Sequence, residues 1–182
     1  MIIMKRFLKN IFFCGIIAVL IVGCGKNKAS DSKDDYMFDK IEKTDNFYSD
    51  EKQMQIQEEI SGWAKSYLFV DSGADEEEQE ILDESLYDSI VSKDEREKVE
   101  TDREELRKKG QVTVGLVTTE ISSAQTVKYE EQEMGLVSCT VNIKGNIDGE
   151  KFEREYNLEL LIDYGWSSIS IYEIGKIDWK DI

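Results

Sequence analysis

The sequence predicts an α+β domain in which N-terminal helices pack on an antiparallel β-sheet of about five strands. Between residues 51 and 109, apolar residues recur every three or four positions, which is the spacing of amphipathic helices. After Gly110 the spacing becomes two, the period of a strand with one buried face. Asp148-Gly149 lies between two alternating segments and is a strong hairpin-turn signal. Helices followed by an antiparallel meander form an α+β domain.

The first two helices are predicted from their apolar stripes. The first covers about residues 51–70 and begins with a capping pattern formed by Asp50 and Gln53. Its apolar stripe consists of Ile56, Ile60, Trp63, Tyr67 and Val70. The second helix covers about residues 75–91. Its inward-facing residues are predicted to be Ile81, Leu82, Leu86, Ile90 and Val91.

The third helix is predicted from its ends. Ser92 and Glu95 form a capping box, and the helix then covers about residues 93–109 with basic residues in its last turn. Its only apolar residues are Val99 and Leu106. We therefore expect this helix to lie mostly exposed and to contact the domain through a narrow seam.

The strands are predicted from alternation of apolar and polar residues. They lie around residues 112–116, 121–130, 137–143, 152–162 and 169–177. The alternation changes parity between Ile171 and Ile174, which predicts a β-bulge. Because the strands alternate, we expect one face of the sheet to be covered by the helices and the other to face water.

Residues 1–23 are predicted to be a cleavable export signal. The basic residues near its start are Lys5, Arg6 and Lys9. Residues 11–22 are almost wholly apolar, which is the length of a signal-peptide core. Residues 20–24 then read Leu-Ile-Val-Gly-Cys, the lipobox pattern in which Gly23 precedes the cleaved bond and Cys24 receives a diacylglyceryl thioether. The alternatives are an uncleaved transmembrane anchor and an ordinary secretory signal.

Three parts of the chain follow from this interpretation. Residues 1–23 are the signal peptide, residues 24–48 are the lipidated cysteine with a flexible tether, and residues 49–182 are the α+β domain. The tether is polar and mixed in charge. A small apolar cluster within it is expected to dock on the domain, and it comprises Tyr36, Met37, Phe38 and Ile41.

The composition excludes several functions. The formal net charge is −16, so the surface repels nucleic acid, and no nucleic-acid partner is expected. Histidine is absent, which excludes Ser-His-Asp and Cys-His catalysis and His-ligated metal sites. Cys14 leaves with the signal and Cys24 carries lipid, so Cys139 has no partner for an intramolecular disulfide and is expected to be buried. We expect no cofactor and no metal.

Residues 51–178 resemble the nuclear-transport-factor-2-like, or cystatin-like, superfamily in the order of their elements. The segment 156–166, in which an alternating strand turns at Gly165 and re-enters through Trp166, looks like the last two strands of that fold. The resemblance implies a curved, cone-like sheet with a pocket at its wide end. Enzymatic members often place a histidine with a carboxylate there. Non-catalytic members include extracytoplasmic lipoproteins of Gram-positive bacteria and assembly subunits of type IV secretion and conjugation machines.

We expect a non-catalytic binding or assembly module on the extracytoplasmic face of the cell membrane. It would be attached through lipid on Cys24 and would contact another protein of the cell envelope. The lysine- and glutamate-rich, proline-free composition resembles that of Gram-positive Firmicutes. The aromatic residues proposed for contact, whose alternative is ordinary core packing, are Trp63, Tyr67, Trp166 and Tyr172.

Two alternatives stay open. The domain could be an enzyme or a small-ligand-binding protein that uses carboxylates inside the cone, or an accessory subunit of a conjugation or type IV secretion machine. An enclosed pocket with two converging buried carboxylates would favour the enzyme, and a filled interior would argue against it.

Overall fold

A computed structural model describes residues 36–69, 76–164 and 168–182. These residues belong to one unit that spans residues 34–182. Its elements are a 3₁₀ helix η1 (Met37–Asp39), β1 (Glu42–Phe47), α1 (Asp50–Tyr67), α2 (Glu76–Ser89), α3 (Lys93–Lys109), β2 (Val112–Tyr129), β3 (Gln132–Ile147), β4 (Glu150–Tyr164) and β5 (Ile169–Asp181).

The five strands form one antiparallel sheet in the order β1-β2-β3-β4-β5. Strands β1 and β5 lie at its two edges and do not pair with each other, so the sheet is open. Three helices pack with this sheet, which confirms the predicted α+β class. The end of α2 also reaches the β5 edge, where the Val91 N–H donates to the Ile174 carbonyl at 3.0 Å.

The prediction of two separate strands between Val112 and Tyr129 was wrong. These residues form the single strand β2, whose pairing with β3 shifts register between Val114 and Leu116 and again between Ile121 and Ser123. An extra residue in a strand reverses which side chains face the core. Alternation in the sequence therefore breaks at each irregularity although the strand continues.

Residues 36–47, which the sequence placed in the tether, are part of the folded unit. They form η1 and β1, and β1 pairs with the far end of β2, where Glu42 lies opposite Lys128. β1 was missed because it is a polar edge strand in which only Thr44 is partly buried, so it has no alternation to detect. The predicted docking of the apolar cluster is confirmed, since Met37, Phe38 and Ile41 pack on the sheet.

The predictions for α1 and α2 were partly wrong in detail. The N-cap of α1 is Ser49, whose side chain accepts from the Lys52 N–H at 3.4 Å, instead of Asp50. The fully buried stripe of α1 is Ile56, Ile60 and Ala64. In α2, Ile81 was expected to face inward but is 61% exposed, and Asp83 is buried instead. Asp83 contacts arginine side chains of α3, and this pairing overrides the apolar pattern.

Helix α3 has the predicted bounds, and Ser92 Oγ accepts from the Glu95 N–H at 3.3 Å, which is the N-cap half of the predicted capping box. The Glu95 carboxylate accepts from the Ile177 backbone of β5 instead of completing the box. The buried seam of α3 contains Arg103, which is 3% exposed, in addition to the two apolar residues. Apolar counting cannot find such a position, since a buried arginine depends on partners from other elements.

The two faces of the sheet are covered by different elements. The face toward the helices carries the main core, which includes the predicted inward residues of β3: Val137, Cys139, Val141 and Ile143. The opposite face, here called the outer face, has a smaller apolar cluster: Val127, Met134, Leu136 and Leu161. Met37, Phe38 and Ile41 cover this second cluster, so the outer face is only partly open to water.

Both predicted backbone irregularities are confirmed. Asp148 and Gly149 have positive φ angles of 51° and 85°, as a tight hairpin turn of this type requires. In β5, Ile171 pairs with Ile162 and Glu173 pairs with Leu161, so Tyr172 is the extra residue of a bulge.

Candidate functional site

Three of the predicted site residues lie outside the described residues: Gly23, Cys24 and Trp166. The predicted export signal of residues 1–23 lies there too. Within residues 36–69, 76–164 and 168–182, no helix has the length and apolar character needed to cross a membrane.

The other predicted contact aromatics are divided between two elements. Trp63 and Tyr67 stack on α1 with ring centroids 5.9 Å apart and planes inclined by 16°. Both are partly buried, and Trp63 packs against the main core. Tyr172 is 43% exposed at the bulge of β5. The described ring contacts join the first two but do not include Tyr172, so these residues do not form one aromatic surface.

The outer face holds a buried carboxylate that binds the chain near its described start. Glu173 is 7% exposed, its Oε1 accepts from the Met37 N–H at 2.8 Å, and its Oε2 accepts from the Phe38 N–H at 2.9 Å. These donors lie at the first turn of η1, whose N-cap residue Tyr36 makes no side-chain capping bond. Glu173 therefore caps η1 from another element. We call residues 36–41 the strap.

The strap lies over an apolar floor. Val127, Met134, Leu136 and Leu161 are each at most 4% exposed and pack against the strap residues Met37, Phe38 and Ile41. Gly175 allows the close approach of the Phe38 ring, because a Cβ at this position would lie 2.5 Å from Phe38 Cε1. The site therefore combines a hydrogen-bond acceptor pair with a surface that fits an aromatic ring.

A second buried charge, Arg154, joins the sheet to α3. Its side chain is 4% exposed, with Nη1 donating to Asp102 Oδ2 and Nε donating to Asp181 Oδ1, both at 2.5 Å. Burial lowers the pKa of Arg154, but the bonds to Asp181 and Asp102 and the contact with Tyr156 outweigh it and raise the pKa overall. The hydrogen bond from Arg154 in turn lowers the pKa of Asp181. Arg154 therefore stays positively charged and links β4 to α3 and to β5.

A third cluster joins the three helices. The Asp83 carboxylate contacts the guanidinium groups of Arg103 and Arg107, and Arg103 Nη1 donates to the Tyr67 carbonyl at 2.6 Å. Asp83 Oδ1 lies against Arg103 without an aligned hydrogen bond, so this contact is an ion pair. Sequence reasoning missed all three charged clusters, because their partners are far apart in the chain.

Two open grooves lie on the described surface. One, of about 460 Å³, lies beside α3 and is lined mainly by Asp94, Glu97, Lys98, Asp102, Glu105 and Trp179. The other, of about 500 Å³, is lined mainly by Leu116, Lys144, Asn146, Lys151, Phe152 and Ile182. Asp83 and Glu173 line neither groove. No group of three or more acidic, cysteine or histidine side chains in the described part could hold a metal ion.

Cys139 is buried in the main core, where desolvation raises the pKa of its thiol to about 12. We therefore expect it not to react with Ellman's reagent in the folded protein at pH 8, because the reactive thiolate is almost absent. The test uses the Cys14→Ser/Cys24→Ser variant, in which Cys139 is the remaining cysteine. One thiol should react after unfolding in guanidinium chloride, and full reaction within minutes without denaturant would contradict the burial.

No protein-family model matches this chain, and searches of curated proteins and of solved structures found no match either. The function must therefore be argued from the chemistry of the described surfaces and from the sequence.

Proposed function

We propose that this chain is a lipid-anchored, extracytoplasmic module that binds or assembles with another envelope protein and has no catalytic activity. The anchor rests on the lipobox of residues 20–24, and the observation that carries the absence of catalysis is the use of the buried charges. Asp83 contacts two arginines, Arg154 contacts two carboxylates, and Glu173 accepts two backbone N–H groups. A general acid or base must face a substrate pocket, whereas these groups are engaged in holding the fold.

The finer, cone-like form of the sheet belongs to the same proposal. The irregularities in β2 and β5 support it, because bulges bend strands and increase their twist. Asp83 and Glu173, the two buried carboxylates of the described residues, do not converge on one pocket, since Asp83 contacts α3 whereas Glu173 contacts the strap. This pair therefore does not favour the enzyme alternative. An accessory subunit of a conjugation or type IV secretion machine is one form of the proposed assembly role.

The proposed lipid anchor predicts that substitution of Cys24, but not of Cys14 ten positions earlier, abolishes lipid labelling. The full chain, expressed in a Gram-positive host, should incorporate labelled palmitate and sediment with membranes. Cys24→Ala should lose the label and keep its signal, because the thioether cannot form and cleavage follows lipidation. Cys14→Ala is the matched control and should behave as the parent chain. Equal labelling of Cys24→Ala and the parent chain would contradict the anchor.

The partner is tested by crosslinking intact cells and identifying the proteins recovered with a tagged chain by mass spectrometry. We expect envelope proteins that are recovered with Cys14→Ala and lost with Cys24→Ala. Secretion or conjugation proteins among them would identify the accessory-subunit form. Recovery of no envelope protein with either the parent chain or Cys14→Ala would count against an assembly role.

A further inference from the structure

We propose that the strap is a releasable plug in a peptide-binding site on the outer face of the sheet. The site takes a partner segment with the chemistry of the strap: an aromatic side chain and two consecutive backbone N–H groups. This inference rests on the proposed function and deepens it, since the site is the surface through which the module would hold its partner.

The carboxylate of Glu173 defines the polar half of the site. It is 7% exposed, and each of its oxygens accepts a hydrogen bond from the strap, at 2.8 Å and 2.9 Å. A carboxylate in such a place is costly without donors. When the strap leaves, water can solvate the carboxylate, so a segment that docks in its place must again present two N–H groups to replace that water. Side-chain identity does not matter for this half, because the donors are backbone atoms.

The apolar floor and Gly175 define the other half. The floor of Val127, Met134, Leu136 and Leu161 is covered by three strap residues, Met37, Phe38 and Ile41, and by Tyr129 of β2. A Cβ at Gly175 would collide with the Phe38 ring, so the bulged strand leaves space for a flat aromatic group. Apolar contacts that surround a few fixed polar groups are typical of binding sites.

The strap is built to be released more easily than the rest of the domain. None of the residues of η1 is fully buried, and its helical turn has no side-chain cap of its own. Besides the bonds to Glu173 and the apolar contacts of Met37, Phe38 and Ile41, the contacts of the strap include a hydrogen bond of 2.7 Å from Arg96 Nη2 to Tyr36 Oη. The main core under the helices contains no strap residue, so the strap can leave while that core stays packed.

The position of the strap in the chain indicates how a partner would release it. In the sequence, the strap lies between the predicted lipid site at Cys24 and strand β1. A partner that holds the anchor side of the chain would act on the strap before any element of the sheet. The vacated floor and the Glu173 carboxylate would then be available to that partner.

The test measures binding of a fluorescein-labelled peptide with the sequence of residues 34–41 to the full chain purified in detergent. Phe38→Ala weakens the chain's own strap and leaves the site intact, so it should bind the peptide at least about tenfold tighter than the parent chain. Phe47→Ala, which changes a phenylalanine 64% exposed on β1, is the matched control and should bind as the parent chain does.

A second substitution tests the carboxylate. Phe38→Ala/Glu173→Gln should lose at least about tenfold in affinity relative to Phe38→Ala, because hydrogen bonds to an ionised acceptor are the stronger kind. Phe38→Ala/Glu159→Gln removes a partly exposed carboxylate of β4 and should retain the affinity. Phe38→Ala/Gly175→Ala tests the aromatic half of the site, since a Cβ at Gly175 would occupy the space of the ring and should weaken peptide binding at least about tenfold relative to Phe38→Ala.

Amide hydrogen exchange shows whether each variant is folded. Met37 and Phe38 amides should exchange faster in Glu173→Gln while β3 and β4 keep their protection. If Phe38→Ala gains no peptide binding, or if Glu173→Gln or Gly175→Ala leaves the gained affinity unchanged, the peptide site is overturned. If palmitate labelling and the crosslinked partners persist although the peptide site is overturned, the proposed function still stands. Failure of the peptide site can therefore be distinguished from failure of the proposed function.

Discussion

Replacing Arg154 by alanine is expected to lower the free energy of unfolding by about 3–5 kcal/mol, because it breaks a buried ion pair from one side. The guanidinium is 4% exposed and holds Asp102 of α3 and Asp181 of β5. Asp102 is 18% exposed in the structure and would be left without its cation. The substitution also removes a bond of 3.4 Å to Tyr156 Oη and the contact with the Trp179 ring, whereas Tyr156 keeps its hydrogen bond to the Leu68 carbonyl.

Urea unfolding followed by tryptophan fluorescence measures this change. Lys144→Ala is the matched control, because it removes an ion pair with Glu153 whose side chains are 51% and 32% exposed. Exposed pairs contribute about 0–1 kcal/mol, so the control should remain close to the parent chain. Equal midpoints for Arg154→Ala and Lys144→Ala would show that the buried cluster adds no stability.

The same cluster predicts a pH dependence. Because the bond from Arg154 lowers the pKa of Asp181 in the folded state, its contribution is fully present above the ordinary aspartate pKa. It is lost as the pH falls through the lowered, folded-state value. The Asp181 side chain is 66% exposed, so solvent screening keeps the effect small. Arg154→Ala should remove this part of the loss of stability at acid pH. If the stability of Arg154→Ala falls with pH as that of the parent chain does, the bond to Asp181 is not its cause.

Two glycines should respond in opposite directions to the same added methyl group. In Gly145→Ala, the Cβ would lie 2.2 Å from the Thr113 carbonyl oxygen and 2.6 Å from Phe152 Cε1. Strand β2 and the Phe152 ring must move to make room. Since overpacking of this kind costs about 1–3 kcal/mol, we expect a loss of that size in the free energy of unfolding.

Gly62 lies in the interior of α1, and nothing comes within 4 Å of a Cβ placed there. Gly62→Ala is therefore expected to raise the free energy of unfolding by about 0.5–1 kcal/mol, since glycine costs about that much in a helix interior. Thermal or urea unfolding of both variants measures the pair. A stabilising Gly145→Ala would mean that β2 and β3 lie farther apart than described.

The sequence was sufficient to predict features that depend on residues close together in the chain. The start of α3 follows from the N-cap Ser92, and the β3–β4 hairpin follows from Asp148-Gly149. The bulge of β5 follows from a change in the parity of its isoleucines. Each of these features depends on backbone geometry or hydrogen bonds within a few residues, so the local sequence is sufficient to predict it.

The candidate site was decided by the tertiary structure alone. Glu173 and Met37 are 136 positions apart, and Arg154 and Asp102 are 52 apart. From the sequence alone, a glutamate within a strand is expected to face solvent, and a polar segment such as β1 is expected to be a tether. Only the elements that pack against them show otherwise. The sequence alone determined the α+β class, the bounds of α3 and the β3–β4 turn. The packing of distant elements decided which charges are buried and which face the strap covers, because burying a charge requires partners that only the fold brings together.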